Sequence, residues 1–248
     1  MNEAAPETVS TPRPPAPGFL ACMKAIAEPE IYRNFAIHLF IMAPGVVVMC
    51  LLARQVDRFL GLERLLPWPA SVWPGAVMIA IGGLSVWYVY GYLLLAGGGS
   101  PGTHVDGGPT TLVDTGPYTV LRHPSVPGKF MAAAGVGVIF ASPSFLFGFL
   151  PILLVYSLLT NRFLQEPTCD KRFGGVYEVY RRTVPMVFPR PSGLRRWQFG
   201  EAAVGDAERP DPHIHPTEAS SELAWYLTGL VGMILLFGAI ALAVWLFR

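Results

Sequence analysis

The sequence has few charged residues and no excess of either sign. Asp, Glu, Lys and Arg make up only 14% of it and the net charge is +1, whereas soluble globular proteins are about one-quarter charged. Because no broad basic surface attracts nucleic acid at long range, we expect no nucleic-acid partner. The three cysteines, Cys22, Cys50 and Cys169, lie too far apart for a disulfide framework or a four-cysteine zinc site. We expect them to be free thiols.

Signals for a cleaved leader and for a metal site are also weak. The first 17 residues are rich in Pro, Ala, Thr and Glu and lack the basic-then-apolar layout of a signal peptide. They are typical of a disordered tail. His213 and His215 are two residues apart in a Pro-containing stretch, but two histidines alone make a poor zinc site. We expect no bound metal.

Apolar residues dominate the chain. They make up 52% of it, and the mean hydropathy is +0.43. A transmembrane helix needs roughly 20 mainly apolar residues. The 248 residues therefore accommodate several spans and one modest polar region, but no large soluble domain. We expect an integral membrane protein.

The apolar residues fall into four long stretches: residues 35–53, 72–96, 130–163 and 223–247. The third stretch is too long for one span, and Ser142-Pro143-Ser144 divides it into two. We predict an all-α, polytopic membrane protein with about five transmembrane helices, the third and fourth of which form a tight hairpin. Both ends of such a hairpin lie on the same side of the membrane.

Basic residues indicate which side that is. Residues 162–196 contain eight Lys or Arg residues, whereas the link at 54–70 contains three. Loops rich in Lys and Arg stay in the cytoplasm. We therefore expect both polar regions and the N-terminus to be cytoplasmic and the C-terminus to be outside, in an inner or plasma membrane.

Two polar segments flank the predicted hairpin. Prolines restrict the backbone of the first, so that Tyr118, Arg122 and His123 can be held in fixed directions beside the bilayer. The second segment opens with Glu166, directly after an apolar span. A carboxylate there is costly unless it is paired or reaches water, so Glu166 is a functional candidate.

Simpler roles remain open for the same side chains. Arg122 and His123 are also suited to anchoring the hairpin at the lipid headgroups. Glu166 has the spacing of an ordinary ion pair with Arg162, one turn earlier. Tyr177 is also compatible with an interfacial aromatic.

The order of motifs around the hairpin resembles the isoprenylcysteine carboxyl methyltransferase and phospholipid methyltransferase family of integral membrane enzymes. The likeness extends over residues 97–191. Its motifs are Leu112-Val113-Asp114-Thr115-Gly116-Pro117-Tyr118, Arg122-His123-Pro124, Gly128, Gln165-Glu166-Pro167 and Phe173-Gly174-x-x-Tyr177-x-x-Tyr180-Arg181-Arg182-x-Val184-Pro185.

This resemblance implies a methyltransferase that uses S-adenosylmethionine at the cytoplasmic face, with a membrane lipid or small hydrophobic molecule as acceptor. It implies His123 and Glu166 as catalytic residues. The cofactor-binding residues that it implies are Gly116, Pro117, Tyr118, Arg122, His123, Gly128, Gln165, Glu166, Tyr177 and Arg181. The chain departs from the family at Val126, where a tyrosine is common, and at Gln165, where a second glutamate is common. These departures imply weaker cofactor binding or a changed acceptor.

Two other functions remain open. Membrane sterol-type reductases share similar C-terminal motifs and use NADPH, although they have more spans. A non-catalytic membrane protein that retains the fold is the other alternative.

The sequence thus predicts five regions. They are a disordered N-terminal tail leading into the first span at 1–33, two transmembrane helices at 34–96, a catalytic core at 97–198, a linker at 199–221 and a C-terminal transmembrane helix at 222–248.

The predicted topology can be checked by cysteine labelling. In a background without native cysteines, cysteines introduced at Gly107 and at Gly205 should both be shielded from a membrane-impermeant thiol reagent in intact cells, because both segments are expected to be cytoplasmic. Labelling of one position and not the other would contradict the hairpin.

Overall fold

The computed structural model describes residues 16–98 and 109–205, except 26 and 28, together with scattered helical positions between 231 and 246; for residues 29–42 it describes the backbone alone. Within these residues the structure is helical and contains no strand, which confirms the predicted all-α class. The last predicted span, 223–247, lies largely outside the described residues, as do residues 1–15, His213 and His215.

Within residues 16–205, the described structure contains eight α-helices. They are α1 (Phe19–Ala25), α2 (Pro29–Phe59), α3 (Val72–Gly97), α4 (Ser125–Phe140), α5 (Leu150–Thr160), α6 (Glu166–Phe173), α7 (Gly175–Thr183) and α8 (Pro191–Phe199). A short 3₁₀ turn forms at Gly116–Thr119, and π-helical turns at Phe145–Phe149 and Asn161–Gln165 flank α5.

Among the described residues, two helices are long and apolar enough to cross a membrane. They are Val72–Gly97 and the continuous helix Phe145–Phe173, which joins α5, α6 and both π turns; Ser125–Phe140 is apolar but shorter. The apolar stretch 130–163 is interrupted at Ala141 and Ser142, next to the predicted division. The total of about five spans and the membrane hairpin itself stay predictions.

A short helix precedes the first predicted span. Helix α1 lies between the predicted disordered tail, residues 1–17, and that span, and it packs against α3. A Cβ at Gly91 would lie 2.1 Å from the carbonyl oxygen of Cys22, so glycine lets the two backbones touch. Trp87 also donates a hydrogen bond to the carbonyl of Met23 (3.0 Å). These contacts supply the order that the composition of the segment does not.

Helices α3 and α4 are in backbone contact through two pairs of glycines. A Cβ at Gly75 would lie 2.5 Å from the carbonyl oxygen of Gly135, and a Cβ at Gly82 would lie 2.5 Å from that of Gly128. The spacing of seven residues on each helix, in opposite directions, shows that the helices are antiparallel. Small residues drive such close packing between membrane helices, where the hydrophobic effect contributes little.

The turn between α4 and α5 is fixed by a buried carboxylate of α2. Asp57 has no exposed surface and accepts hydrogen bonds from the hydroxyl of Ser142 (2.6 Å) and the backbone N–H of Ser144 (2.8 Å). Arg54 supplies the balancing charge at 3.0 Å. A buried carboxylate is stable when it is paired and hydrogen-bonded in this way. The contact ties α2 to the end of the fold opposite Arg122 and Glu166.

The glycine contact gives a matched pair of substitutions. Gly82→Ala should lower the free energy of unfolding by about 1–3 kcal/mol, because the added methyl group collides with the backbone of α4. Gly83→Ala should be neutral or stabilising by up to about 1 kcal/mol, because nothing lies near the added atom. Thermal unfolding of both variants in one detergent checks this. Equal midpoints would show that α3 and α4 do not approach at Gly82.

Candidate functional site

The first polar segment turns sharply at Gly116, against the end of α3. Gly116 has a φ of +55°, and a Cβ there would lie 2.4 Å from the ring of Tyr92. Only glycine fits both conditions. The Tyr92 hydroxyl donates a hydrogen bond to Oγ1 of Thr115 (2.8 Å). This turn directs Pro117 and Tyr118 inward; the ring of Tyr118 lies 6.4 Å from that of Tyr92.

Three contacts tie this segment to the residues after α6. The Tyr180 hydroxyl donates to the carbonyl of Tyr118 (2.9 Å), and the backbone N–H of Arg122 donates to the carbonyl of Pro185 (3.0 Å). The hydroxyl of Thr119 reaches the carbonyl of Gly193 in α8 (3.0 Å). The backbone of Arg122 and the two residues Tyr118 and Thr119 before it are therefore held in place.

Glu166 lies at the centre of the site and has no exposed surface. Its Oε2 is 2.7 Å from Nη1 of Arg162, which confirms the ion pair expected from the spacing. Its Oε1 is 2.5 Å from Nη1 of Arg122 and 3.8 Å from Nε2 of His123. The structure thus joins the two polar segments through one carboxylate, and the partner in the first segment is Arg122.

The cluster carries an excess of positive charge. With His123 neutral, the two arginines outnumber the single carboxylate by one. Among the described residues, Nε and Nη1 of Arg122, Nε2 of His123 and Oε1 of Glu166 are buried and make no hydrogen bond of good geometry, although Arg122 and Glu166 form an ion pair. Buried donors normally have partners. The nitrogen atoms suit a ligand that brings acceptor oxygens.

Three tyrosines lie beside the site; Tyr177 and Tyr180 are buried and Tyr118 is half-buried. Burial raises the pKa of the Tyr118, Tyr177 and Tyr180 phenols, and the charge of Glu166 raises the pKa of Tyr177 further. These phenols therefore stay protonated at neutral pH, so they act as hydrogen-bond donors and ring surfaces and not as bases. The rings of Tyr177 and Tyr180 are 5.8 Å apart.

Some predicted site residues are engaged elsewhere. Gly128 lies at the contact between α3 and α4, so close packing accounts for it. Arg181 pairs with Asp170 at 3.1 Å, and both side chains are about one-third exposed. Val126 is buried in the first turn of α4, and Gln165 is half-buried in the second π turn.

Sequence reasoning missed Asn161. It is 5% exposed, and its Nδ2 has no hydrogen-bond partner among the described residues. The signal was an amide within an otherwise apolar span, where polar side chains commonly mark functional positions.

This region of the chain is similar to a known protein family. Residues 70–175 match the phospholipid methyltransferase family. The match confirms the resemblance to membrane methyltransferases and includes Arg122, His123 and Glu166, whereas Tyr177 and Arg181 lie beyond it. Together with the apolar helices it supports a membrane-bound methyltransferase. Neither a curated protein nor a solved structure gives a significant match to the chain.

The burial of Glu166 predicts a large effect of its removal. Glu166→Gln leaves Arg122, whose side chain is only 11% exposed, without a counter-charge and should lower the free energy of unfolding by about 3 kcal/mol. Glu178→Gln breaks an exposed pair with Arg182 and should cost less than about 1 kcal/mol. Unfolding of both variants under identical conditions gives the comparison. A similar small loss in both would mean that Glu166 is not the counter-charge of the cluster.

Proposed function

We propose that the chain is an S-adenosylmethionine-dependent methyltransferase that acts at the cytoplasmic face of a membrane on a small or lipid-like acceptor. One observation carries the proposal. Two segments of the matched family region converge on a fully buried carboxylate, and they leave buried donors without partners.

The side chains fit the chemistry of S-adenosylmethionine. Its carboxylate needs donors, which the Nε and Nη1 atoms of Arg122 offer, since neither makes a hydrogen bond to a described residue. Its adenine and sulfonium suit apolar and aromatic surfaces, which the rings of the half-buried Tyr118 and of Tyr177 offer. When bound, this molecule supplies an electrophilic methyl group on a sulfonium.

The protein's own contribution is alignment and handling of a proton. Methyl transfer is an in-line displacement, and alignment of two bound reactants supplies up to roughly 7–11 kcal/mol of acceleration. A thiol or amine acceptor must also lose a proton. The Nε2 atom of His123 is free of hydrogen bonds within the described structure, and it lies 3.8 Å from a carboxylate that would stabilise the imidazolium. We propose His123 as the base and Glu166 as the group that stabilises its charged form.

The outer surface of α5 supports an acceptor that arrives from the lipid. An apolar stripe runs along it at helical spacing and continues to the turn beside Glu166. Its members are between 45% and 67% exposed: Ile152, Val155, Leu159 and Phe163. Such a surface faces lipid in a membrane protein. We expect an acceptor that diffuses within the membrane to reach the site along this stripe, with its polar group at the depth of Glu166.

Calorimetry on the purified full-length protein tests the proposal. S-adenosylhomocysteine should bind and NADPH should not, which separates the methyltransferase from the reductase alternative. Arg122→Lys keeps the charge that balances Glu166 but loses the Nε and Nη donors, so it should weaken S-adenosylhomocysteine binding about tenfold or more. Arg182→Lys, at an exposed pair, should leave the affinity unchanged.

Binding of NADPH alone would favour a reductase, and binding of neither ligand would favour a non-catalytic protein. Transfer of label from isotopically labelled S-adenosylmethionine to a lipid extract, followed by mass spectrometry, identifies the acceptor class. Equal affinities of the two lysine variants would remove Arg122 from the binding site.

A further inference from the structure

Asn161 is a buried amide that the cluster around Glu166 does not use. It begins the second π turn, is 5% exposed, and its Nδ2 makes no hydrogen bond to any described residue. No residue of the preceding helix, Leu150–Thr160, is buried. Along the chain from Leu150 towards Glu166, Asn161 is therefore the first buried residue, and its amide nitrogen lacks a hydrogen bond to any described residue.

The π turn places Asn161 on the same face of the helix as Glu166. The backbone N–H of Glu166 donates to the carbonyl of Asn161, five residues earlier, so these two residues close one turn. In an α-helix five residues would advance by about 1.4 turns, and the two side chains would point to different sides. Burial agrees with this geometry, because Asn161 and Glu166 are buried and the intervening Arg162 and Phe163 are exposed.

We propose that the Asn161 side chain is a further cofactor-binding group, and that its amide donates a hydrogen bond to the carboxylate of S-adenosylmethionine. The inference rests on the function proposed above. It adds the Nδ2 atom of Asn161 to the Nε and Nη1 atoms of Arg122, which are also buried and make no hydrogen bond to a described residue.

The net positive charge of the cluster favours binding of the carboxylate end of S-adenosylmethionine. Two arginines face one glutamate, so the excess charge attracts an anion and repels the ammonium and the sulfonium. A carboxylate has two oxygens with about four acceptor sites, enough for several donors at once. Three donor atoms, Nε and Nη1 of Arg122 and Nδ2 of Asn161, match that capacity.

A pair of ligands and a matched variant test the assignment. Asn161→Leu removes the donor and keeps the number and branching of the side-chain heavy atoms, whereas Thr160→Val removes a neighbouring hydroxyl that donates to its own helix, at the carbonyl of Ser157. Calorimetry on the full-length protein would use S-adenosylhomocysteine and 5′-methylthioadenosine, which lacks the amino-acid part.

Asn161→Leu should weaken S-adenosylhomocysteine binding about ten- to a hundredfold, as expected for loss of a hydrogen bond to a charged group, and leave methylthioadenosine binding unchanged. Its unfolding temperature should stay the same or rise, because an apolar side chain replaces an unsatisfied amide. Thr160→Val should match the parent with both ligands. Asn161→Asp should weaken S-adenosylhomocysteine binding further, because it brings a second negative charge beside the ligand's carboxylate.

The outcomes separate this inference from the proposed function. If the parent protein does not bind S-adenosylhomocysteine, the proposed function fails. If the parent binds and Asn161→Leu binds equally well, Asn161 is outside the site and the inference alone is wrong. An equal loss for both ligands would also overturn it, because Asn161 would then shape the pocket without meeting the carboxylate. The Asp variant provides the same comparison if the Leu variant does not fold.

Discussion

Glu166 has no contact with solvent, and its charge has to be balanced from within the fold. Burying an unpaired carboxylate costs several kcal/mol, so the surrounding chain must bring cations to it. Arg162 comes from the same helix, whereas Arg122 comes from the polar segment that precedes α4 in the sequence. That second ion pair fixes the position of the polar loop, and the hydrogen bonds from Tyr180 and to Pro185 secure it. The two polar segments meet because Glu166 takes its second cation from outside its own helix.

The scaffold holds both ends of this arrangement. Glycine pairs bring α3 and α4 into backbone contact, which leaves little freedom for the loop that leads from one to the other. At the opposite end, Asp57 ties α2 to the turn before α5. In a membrane, where lipid is as apolar as the side chains, such polar and close-packed contacts give the specificity that hydrophobic burial gives in water.

Much of this could be predicted from the sequence, and the rest has physical reasons for being missed. Apolar stretches, the break near Ser142 and the pair of Arg162 with Glu166 follow from hydropathy and helical spacing, which are local properties. The partnership of Arg122 with Glu166 depends on packing across 44 positions, and no spacing rule reports it. Helix α1 was missed because its order comes from α3. The π turn was missed because it needs only one additional residue per turn, which leaves no mark in composition.

The π turn means that the site depends on how many residues the helix contains as well as on which residues they are. Each residue of an α-helix turns the chain by about 100°. If the wide turn at Asn161–Gln165 were shortened by one residue, α6 would rotate as a unit by about that angle relative to α5. The carboxylate would then leave Arg122 although every side chain of the cluster was still present. A related protein with the same motif and a helix one residue shorter would keep the residues of the site and lose their spatial arrangement.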